Sequence, residues 1–128
     1  MFTKKKQRNS LQILIADDNF CDRELMMRLL KYMGLRADFT SNGLEVLDAI
    51  KIHSYDIILM DIQMPEMDGL ETTRAIRQQY DQSMKIIAVT SCDQKSDREA
   101  CIQAGMDGFI SKPINREDLD NALSCLYL

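Results

Sequence analysis

Short apolar runs alternate with longer amphipathic segments along this chain, and the apolar runs end in polar residues. Most of the runs hold four or five residues, which is too short for a globular helix and typical of a buried parallel strand. The segments between them repeat apolar residues at helical spacing, with charged residues on the other face. The pattern predicts five strands, of which the second is the weakest, at residues 12–16, 35–40, 56–60, 85–89 and 108–111.

Capping residues set the limits of the helices that fill the intervals. Asn42, Asp68 and Asn115 each offer a side-chain acceptor for the free N–H groups of a helix start. Gly34 and Gly105 lie where a glycine commonly ends a helix. Counted with their caps, the five predicted helices cover approximately residues 20–33, 42–53, 68–80, 93–104 and 115–126.

Five repeats of strand then helix predict the α/β fold class. Because crossovers between parallel strands are right-handed, helices should cover both faces of one parallel sheet. The pattern alone does not give the strand order, but the flavodoxin-like, doubly wound order 2-1-3-4-5 is the common solution at this length. The 128 residues fit one domain. We expect residues 1–10 to form a basic tail or linker and residues 11–128 to form the domain.

Composition and charge narrow the function classes. A net charge of −4 and a pI near 4.9 argue against nucleic-acid binding by this domain, and the basic cluster at residues 4–8 is interpreted as a solvated tail. No apolar run approaches the ~20 residues that span a bilayer, so we expect no membrane contact. Four cysteines without CxxC spacing indicate reduced thiols and a cytoplasmic location. The lone His53 is interpreted as a surface residue at a helix end.

Chemistry-bearing residues follow four of the five predicted strands. Asp17 and Asp18 follow the first strand, Asp61 the third, Thr90 ends the fourth and Lys112 follows the fifth. The carboxyl ends of parallel strands meet at one edge, where ligands bind in open α/β sheets. Three carboxylates in one crevice repel each other unless a cation offsets them, and Mg²⁺ prefers such oxygen ligands.

The remaining groups indicate a phosphate. Lys112 supplies a compact positive charge and Thr90 a hydroxyl, which can offset the charge of a phosphoryl group during transfer, and Asp61 is left as the nucleophile. Taken singly, each residue has a plainer interpretation as a helix cap or an exposed lysine. The agreement of four strand ends on one chemistry favours the site.

Residues 11–127 resemble a response-regulator receiver domain of two-component systems. The resemblance rests on Asp17-Asp18, on Met60-Asp61-Ile62-Gln63-Met64-Pro65-Glu66-Met67-Asp68-Gly69, on Thr90 and on Phe109-Ile110-Ser111-Lys112-Pro113. One departure is Ser91, where the family mostly has alanine or glycine. Ser91 could narrow access to the phosphoryl group, and Gln63 and Cys92 flank the site at positions that tune the phosphorylated lifetime.

The resemblance implies a role for each site residue. Asp61 would be the phosphoacceptor, and Mg²⁺, for which Mn²⁺ could substitute, would be bound by Asp18, Asp61 and the backbone carbonyl of Gln63. Asp17 would act on the metal mostly through water. Lys112 and Thr90 would grip the phosphoryl group, with a cis Lys112-Pro113 bond. The resulting inward movement of Thr90 would let the aromatic switch residue, Phe109, rotate.

The sequence around Asp61 is most like that of receivers in hybrid sensor histidine kinases. The implied phosphodonor is therefore a phosphohistidine on a histidine kinase or a histidine-phosphotransfer protein. The domain would not be an enzyme beyond promoting its own phosphotransfer and autodephosphorylation. A phosphorylation-dependent homodimer is left open.

Three other classes of protein are alternatives to a functional receiver. A Mg²⁺-dependent phosphohydrolase would carry a second acid two residues after the nucleophile, where this chain has Gln63. A nucleotide-binding module would need a glycine-rich phosphate loop, which follows none of the predicted strands. A degenerate receiver that works by protein contact alone would not need the complete set of acids, Thr90 and Lys112.

Overall fold

The computed structural model describes residues 10–80, 83–91 and 95–126, and it forms one parallel sheet with helices on both faces. The strand order is β2-β1-β3-β4-β5, which confirms the predicted α/β class and doubly wound order. The elements in chain order are β1 (Ile13–Ala16), α1 (Phe20–Tyr32), β2 (Ala37–Thr40), α2 (Gly43–Ile52), β3 (Ile57–Met60), α3 (Gly69–Gln79), β4 (Lys85–Thr90), α4 (Lys95–Ala104), β5 (Gly108–Ser111) and α5 (Arg116–Leu126).

The strand register brings the carboxyl ends of β1, β2 and β3 to one level, and because Met60 lies opposite Ala88, β4 and β5 end two residues beyond it. Ala16, the last residue of β1, lies opposite Thr40 of β2 and Met60 of β3. Thr90, the last residue of β4, lies opposite Ser111 at the end of β5. The residues that follow these strands therefore emerge at the same edge of the sheet.

Alternate residues of the buried strands divide the core into two layers, one on each face of the sheet. Ile13 and Ile15 of β1 face one layer, and Leu14 and Ala16 face the other. The helical side chains of the first layer come from α1 and α5: Met26, Leu30, Leu119 and Leu123. Those of the second layer come from α2, α3 and α4: Val46, Ile50, Ile76 and Cys101. A central strand enclosed on both faces has no polar position, which explains the uninterrupted apolar runs.

β2 differs from its prediction because it is an edge strand that pairs with β1 alone. It covers Ala37–Thr40, shorter than the predicted 35–40, and its middle residues are exposed. Leu35 is buried in the first layer although it precedes the strand. The predicted start of the fourth helix near residue 93 and most of the proposed tail, residues 1–9, lie outside the described residues.

Two buried threonines of α3 form their hydrogen bonds within their own helix. The hydroxyls of Thr72 and Thr73 donate to the carbonyls of Asp68 and Gly69, at 2.6 and 2.8 Å. A Cβ on Gly43 would collide with the Thr72 hydroxyl, so glycine permits α2 and α3 to approach closely. The hydrogen bonds within the helix satisfy the hydroxyls and allow their burial without partners on other elements.

Candidate active site

Asp17 and Asp61 lie one residue beyond the two central strands, and both have their backbone fixed by the sheet. The N–H of Asp17 donates to the Thr40 carbonyl at 3.1 Å, and that of Asp61 donates to the Ala16 carbonyl at 2.9 Å. Both residues are buried, with Asp17 at 0% and Asp61 at 6% exposure. Their side chains therefore start from rigid positions at the carboxyl edge.

Asp17, Asp18 and Asp61 each offer a carboxylate oxygen, and these oxygens all lie within 4.8 Å of one another. Asp17 Oδ1 accepts the backbone N–H of Asn19 at 2.9 Å, and Asp61 Oδ1 accepts that of Gln63 at 3.1 Å. Asp18 is exposed. The three predicted acids thus converge on one point that opens to solvent on the Asp18 side.

Lys112 meets this cluster from the end of β5. Its Nζ donates to Asp17 Oδ2 at 2.8 Å, to Asp22 Oδ2 at 2.9 Å and to Asp61 Oδ2 at 3.2 Å. An ammonium has three N–H donors, so each can serve a carboxylate. The Lys112 backbone N–H donates to the Thr90 carbonyl at 2.8 Å, and the Lys112-Pro113 bond is cis, as the resemblance implied.

The electrostatics of the cluster raise the pKa of Asp61 and that of Lys112. Burial raises the pKa of Asp61 and Asp17 raises it further, against the lowering effect of Lys112, so that it reaches about 6 from an ordinary 3.8. Burial alone would lower the pKa of Lys112. Hydrogen bonds to Asp17 and Asp22 and the charges of Asp61 and Asp17 outweigh that effect, and the pKa rises.

The donor set fits a hard divalent cation. One ammonium offsets only one of the negative charges of Asp17, Asp18 and Asp61, so a bound cation would offset charge that remains. Carboxylate oxygens at this spacing are the ligands that Mg²⁺ prefers. The backbone N–H of Gln63 faces Asp61, and its side chain is exposed.

Thr90 ends β4, and Phe109 lies in the neighbouring strand β5, which Lys112 follows. Thr90 is 1% exposed at the end of β4. Phe109 in β5 is half-buried, and the Arg98 guanidinium lies 4.8 Å from the centroid of its ring. A cavity of about 400 Å³ adjoins Phe109 and extends to Asn121 and Cys125 of α5. Ser91 is exposed, and Cys92 lies outside the described residues.

Asp22 belongs to the cluster although the sequence pattern did not predict it as a site residue. The carboxylate of Asp22 forms an ion pair with Lys112 across a separation of 90 residues, and its side chain is 38% exposed. The available signal was its place in the first turn of the helix that directly follows Asp17 and Asp18, on the side of the carboxyl edge.

The other candidate groups behave as the plainer interpretation predicted. His53 is exposed at the end of α2, where it makes an edge contact with Tyr55. Within the described residues, Cys21, Cys101 and Cys125 are free thiols. None of the helices in the described part of the chain is long and apolar enough to cross a membrane.

Comparison with known families agrees with this geometry. The family model described as "Response regulator receiver domain" matches residues 13–124, which is most of the chain. The protein therefore belongs to the response regulator receiver domain family, a family of signalling domains rather than of enzymes in the usual sense.

The relatives among curated proteins are hybrid histidine kinases. The chain is 37% identical over 120 residues to hybrid signal transduction histidine kinase B of Dictyostelium discoideum. That match covers 84% of the chain and 6% of the kinase. It is 34% identical to the osmosensing histidine protein kinase SLN1 of Saccharomyces cerevisiae, over 93% of the chain and 10% of that protein. The chain thus spans a tenth or less of the length of these two relatives.

Solved structures show the same fold. The receiver domain of a sensor histidine kinase from Pseudomonas aeruginosa PAO1, solved with a magnesium ion in its active site cleft, matches with a TM-score of 0.83 and 32% identity. That match covers 91% of this chain and 96% of the other. The chemotaxis protein CheY4 of Vibrio cholerae matches with a TM-score of 0.84 and 26% identity, over 91% and 98% of the two chains.

Proposed function

We propose that this domain accepts a phosphoryl group on Asp61 from a phosphohistidine, as the receiver of a two-component phosphorelay. The observation that carries the proposal is the contact of Lys112 Nζ with Asp61 at 3.2 Å, inside a cluster that also holds Asp17 and Asp18. A nucleophilic carboxylate beside a fixed cation and metal-binding acids is suited to in-line phosphoryl transfer.

In the proposed reaction an Asp61 oxygen forms a bond to phosphorus while the bond from phosphorus to the donor histidine nitrogen breaks. The histidine nitrogen keeps the electron pair, and the ring leaves as a neutral imidazole because its other nitrogen carries a proton. Asp61 becomes an acyl phosphate. Mg²⁺, or Mn²⁺ in its place, would be bound by Asp18, Asp61 and the Gln63 carbonyl, with Asp17 acting mostly through water, and would neutralise phosphoryl charge. Lys112 offsets a second part of that charge.

The proposed switch starts from the added charge. A phosphoryl group on Asp61 supplies strong acceptor oxygens, which attract the hydroxyl of Thr90 and the ammonium of Lys112. Movement of Thr90 toward Asp61 would leave space beside β4 for Phe109 to rotate. The cavity of about 400 Å³ next to Phe109 supports such a rearrangement of the α4, β5 and α5 face.

The partners and setting follow from the same proposal. A histidine kinase or a histidine-phosphotransfer protein would be the donor, and the domain, residues 11–128, would work in the cytoplasm. Its own chemistry would be limited to promoting phosphotransfer and autodephosphorylation. A phosphorylation-dependent homodimer is a secondary expectation, which size-exclusion chromatography with and without phosphodonor tests.

The deciding experiment is intact-mass measurement after incubation with Mg²⁺ and acetyl phosphate. The wild-type protein should gain one phosphoryl group that is lost in hot acid or hydroxylamine, because an acyl phosphate is labile to both. Asp61→Asn should gain none. A wild-type protein without the adduct, an Asp61→Asn variant with the same adduct, or an acid-stable product would overturn the proposal. Catalytic release of phosphate from many substrates would favour a hydrolase instead.

A further inference from the structure

All five helices carry an acid at their third position, which is Asp97 in α4. In the other four the cap side chain accepts the backbone N–H of that acid: Asp22, Glu45, Glu71 and Asp118. In α2, α3 and α5 the carboxylate turns back to its own helix start. It accepts the Ser41 N–H at 2.7 Å, the Asp68 N–H at 3.5 Å and the Asn115 side-chain amide at 3.1 Å, respectively. An acid at this position therefore normally serves the cap.

In α1 the corresponding carboxylate, that of Asp22, contacts Lys112 at the end of β5 instead of its own helix start. The N–H of Asn19, the cap of α1, donates to Asp17 Oδ1 at 2.9 Å and so has its acceptor already. The carboxylate of Asp22 instead accepts from Lys112 Nζ at 2.9 Å. Helix capping does not account for the place of this side chain, whereas the ion pair with Lys112 does.

Asp22 also stands apart from the acids that could hold a cation. Those are Asp17, Asp18 and Asp61, whose oxygens form the compact group. A cation bound there would draw on Asp17 and Asp61 but would leave the contact between Asp22 and Lys112 intact. Among the three contacts of Lys112 Nζ, the one to Asp61 is the longest, at 3.2 Å.

We propose that Asp22 is a positioning residue that holds one N–H of Lys112 in competition with a phosphoryl group on Asp61. The proposal rests on the function proposed above. Its consequence is that Asp22 weakens the grip of Lys112 on the phosphoryl group, and its own negative charge repels that group as well. Both effects make the phosphorylated state less stable than it would be without Asp22.

The test uses beryllofluoride with saturating Mg²⁺ as a stable mimic of the phosphoryl group. Asp22→Asn should lower the Kd for beryllofluoride about two- to fivefold, the value of a half-exposed ion pair. Asp118→Asn is the matched control, because it removes the same charge from the same helical position without a contact to Lys112, and it should leave the Kd unchanged. If Asp22 only held Lys112 in place for the phosphoryl group, its removal would weaken binding. An unchanged or raised Kd for Asp22→Asn overturns the proposal.

A second readout needs no phosphoryl mimic. In protein labelled with ¹⁵N at lysine side chains, the Lys112 ammonium should exchange its hydrogens with water faster in Asp22→Asn than in wild type or Asp118→Asn. If the exchange rate does not change, the ion pair and the proposal fail. If wild type binds no beryllofluoride although Lys112 responds, the proposed receiver function fails and this inference fails with it. If wild type binds beryllofluoride and Asp22→Asn binds it equally well, this inference fails alone.

Discussion

Two buried cations lie at opposite edges of the same sheet, and their surroundings differ. At the amino edge, Arg77 of α3 donates to the carbonyls of Gly105 and Met84 at 2.9 and 2.7 Å, and to Asp107 Oδ2 at 2.8 Å. Asp107 Oδ2 also accepts the Ile86 N–H at 2.9 Å. One positive charge thus meets one negative charge and two neutral carbonyls, and each of the three guanidinium nitrogens donates a hydrogen bond.

At the carboxyl edge, Lys112 meets three carboxylates and leaves negative charge uncompensated. Burial raises the pKa of Asp61 to about 6, and Asp17 adds to the rise. The uncompensated charge suits the site to a cation and, in the function proposed above, to a phosphoryl group. The comparison teaches that burial of an ion pair does not distinguish structure from function. The charge balance of the cluster does: the amino edge is closed, and the carboxyl edge is open to further ligands.

The backbone follows the same division. Gly34 and Gly105, which end helices at the amino edge, have φ values of +79° and +107°, and glycine adopts these without strain. Glu66, in the loop that follows Asp61 at the carboxyl edge, has φ of 68° although it is not glycine. Strain of this kind is concentrated where function constrains a loop.

Removing the Arg77 cation at the amino edge should have the largest effect on stability. Arg77→Met keeps the aliphatic stem but leaves Asp107 and two carbonyls without their donor, and it should lower the free energy of unfolding by about 3–5 kcal/mol. Urea denaturation measures the loss, with Arg74→Met on the exposed face of α3 as a control that should change it by less than about 0.5 kcal/mol. Added Mg²⁺ should not restore the loss. A loss below that of the control would mean that the Arg77 contacts do not stabilise the fold.

Removing the Lys112 cation at the carboxyl edge should lower stability by less, and Mg²⁺ should reverse part of the loss. Lys112→Met leaves the carboxylates of Asp17, Asp22 and Asp61 without their cation and should cost about 2 kcal/mol, less than a fully buried pair because the site is open to water. Mg²⁺ should bind this variant more tightly than wild type and recover part of the lost stability. Urea denaturation with and without Mg²⁺ checks this, with exposed Lys51→Met as the control. Equal Mg²⁺ rescue of the Arg77 and Lys112 variants would erase the distinction between the edges.

Removing the surplus charge should have the smallest effect and the opposite sign. Because the pKa of Asp61 is raised to about 6 in the folded state, the folded protein binds this proton more tightly than the unfolded chain does. Ionised Asp61 therefore disfavours folding above pH 6, and the penalty fades as the pH falls toward 4. In the absence of Mg²⁺, Asp61→Asn should be more stable than wild type by about 1 kcal/mol at pH 7.5, and the gain should shrink by pH 4. Thermal or urea unfolding at both pH values measures it, and a pH-independent difference would contradict the assignment.

The hydrophobic pattern was sufficient to predict the sheet, because central strands enclosed on both faces must be apolar throughout. Met60 and Ala88, for example, lie at 0% exposure in uninterrupted runs. The edge strand β2 was less well predicted, since its middle residues are exposed and carry no such constraint. The strand order agreed with the structure because few topologies suit five βα units, not because any residue specified it.

The acids at the strand ends and Lys112 could be predicted for a related reason. The register fixes where a strand ends, so the residue after it is placed by the sheet. Asp22 and Arg77 could not be placed in the same way. Each reaches across from a helix to another element, and helical periodicity gives only the face on which a side chain lies. Which distant group it meets depends on side-chain length and helix packing.

The site residues lie far apart in the sequence, so they are synthesised at different times. Lys112 is separated by 95 residues from Asp17 and by 51 from Asp61, the carboxylates that it joins. A nascent chain that ends before β5 already contains every acidic member of the cluster but not the cation that restrains them. The ribosome therefore releases the acids first and their counter-ion last. The cluster that we propose as the phosphoacceptor site is therefore complete only when the final strand adds to the sheet.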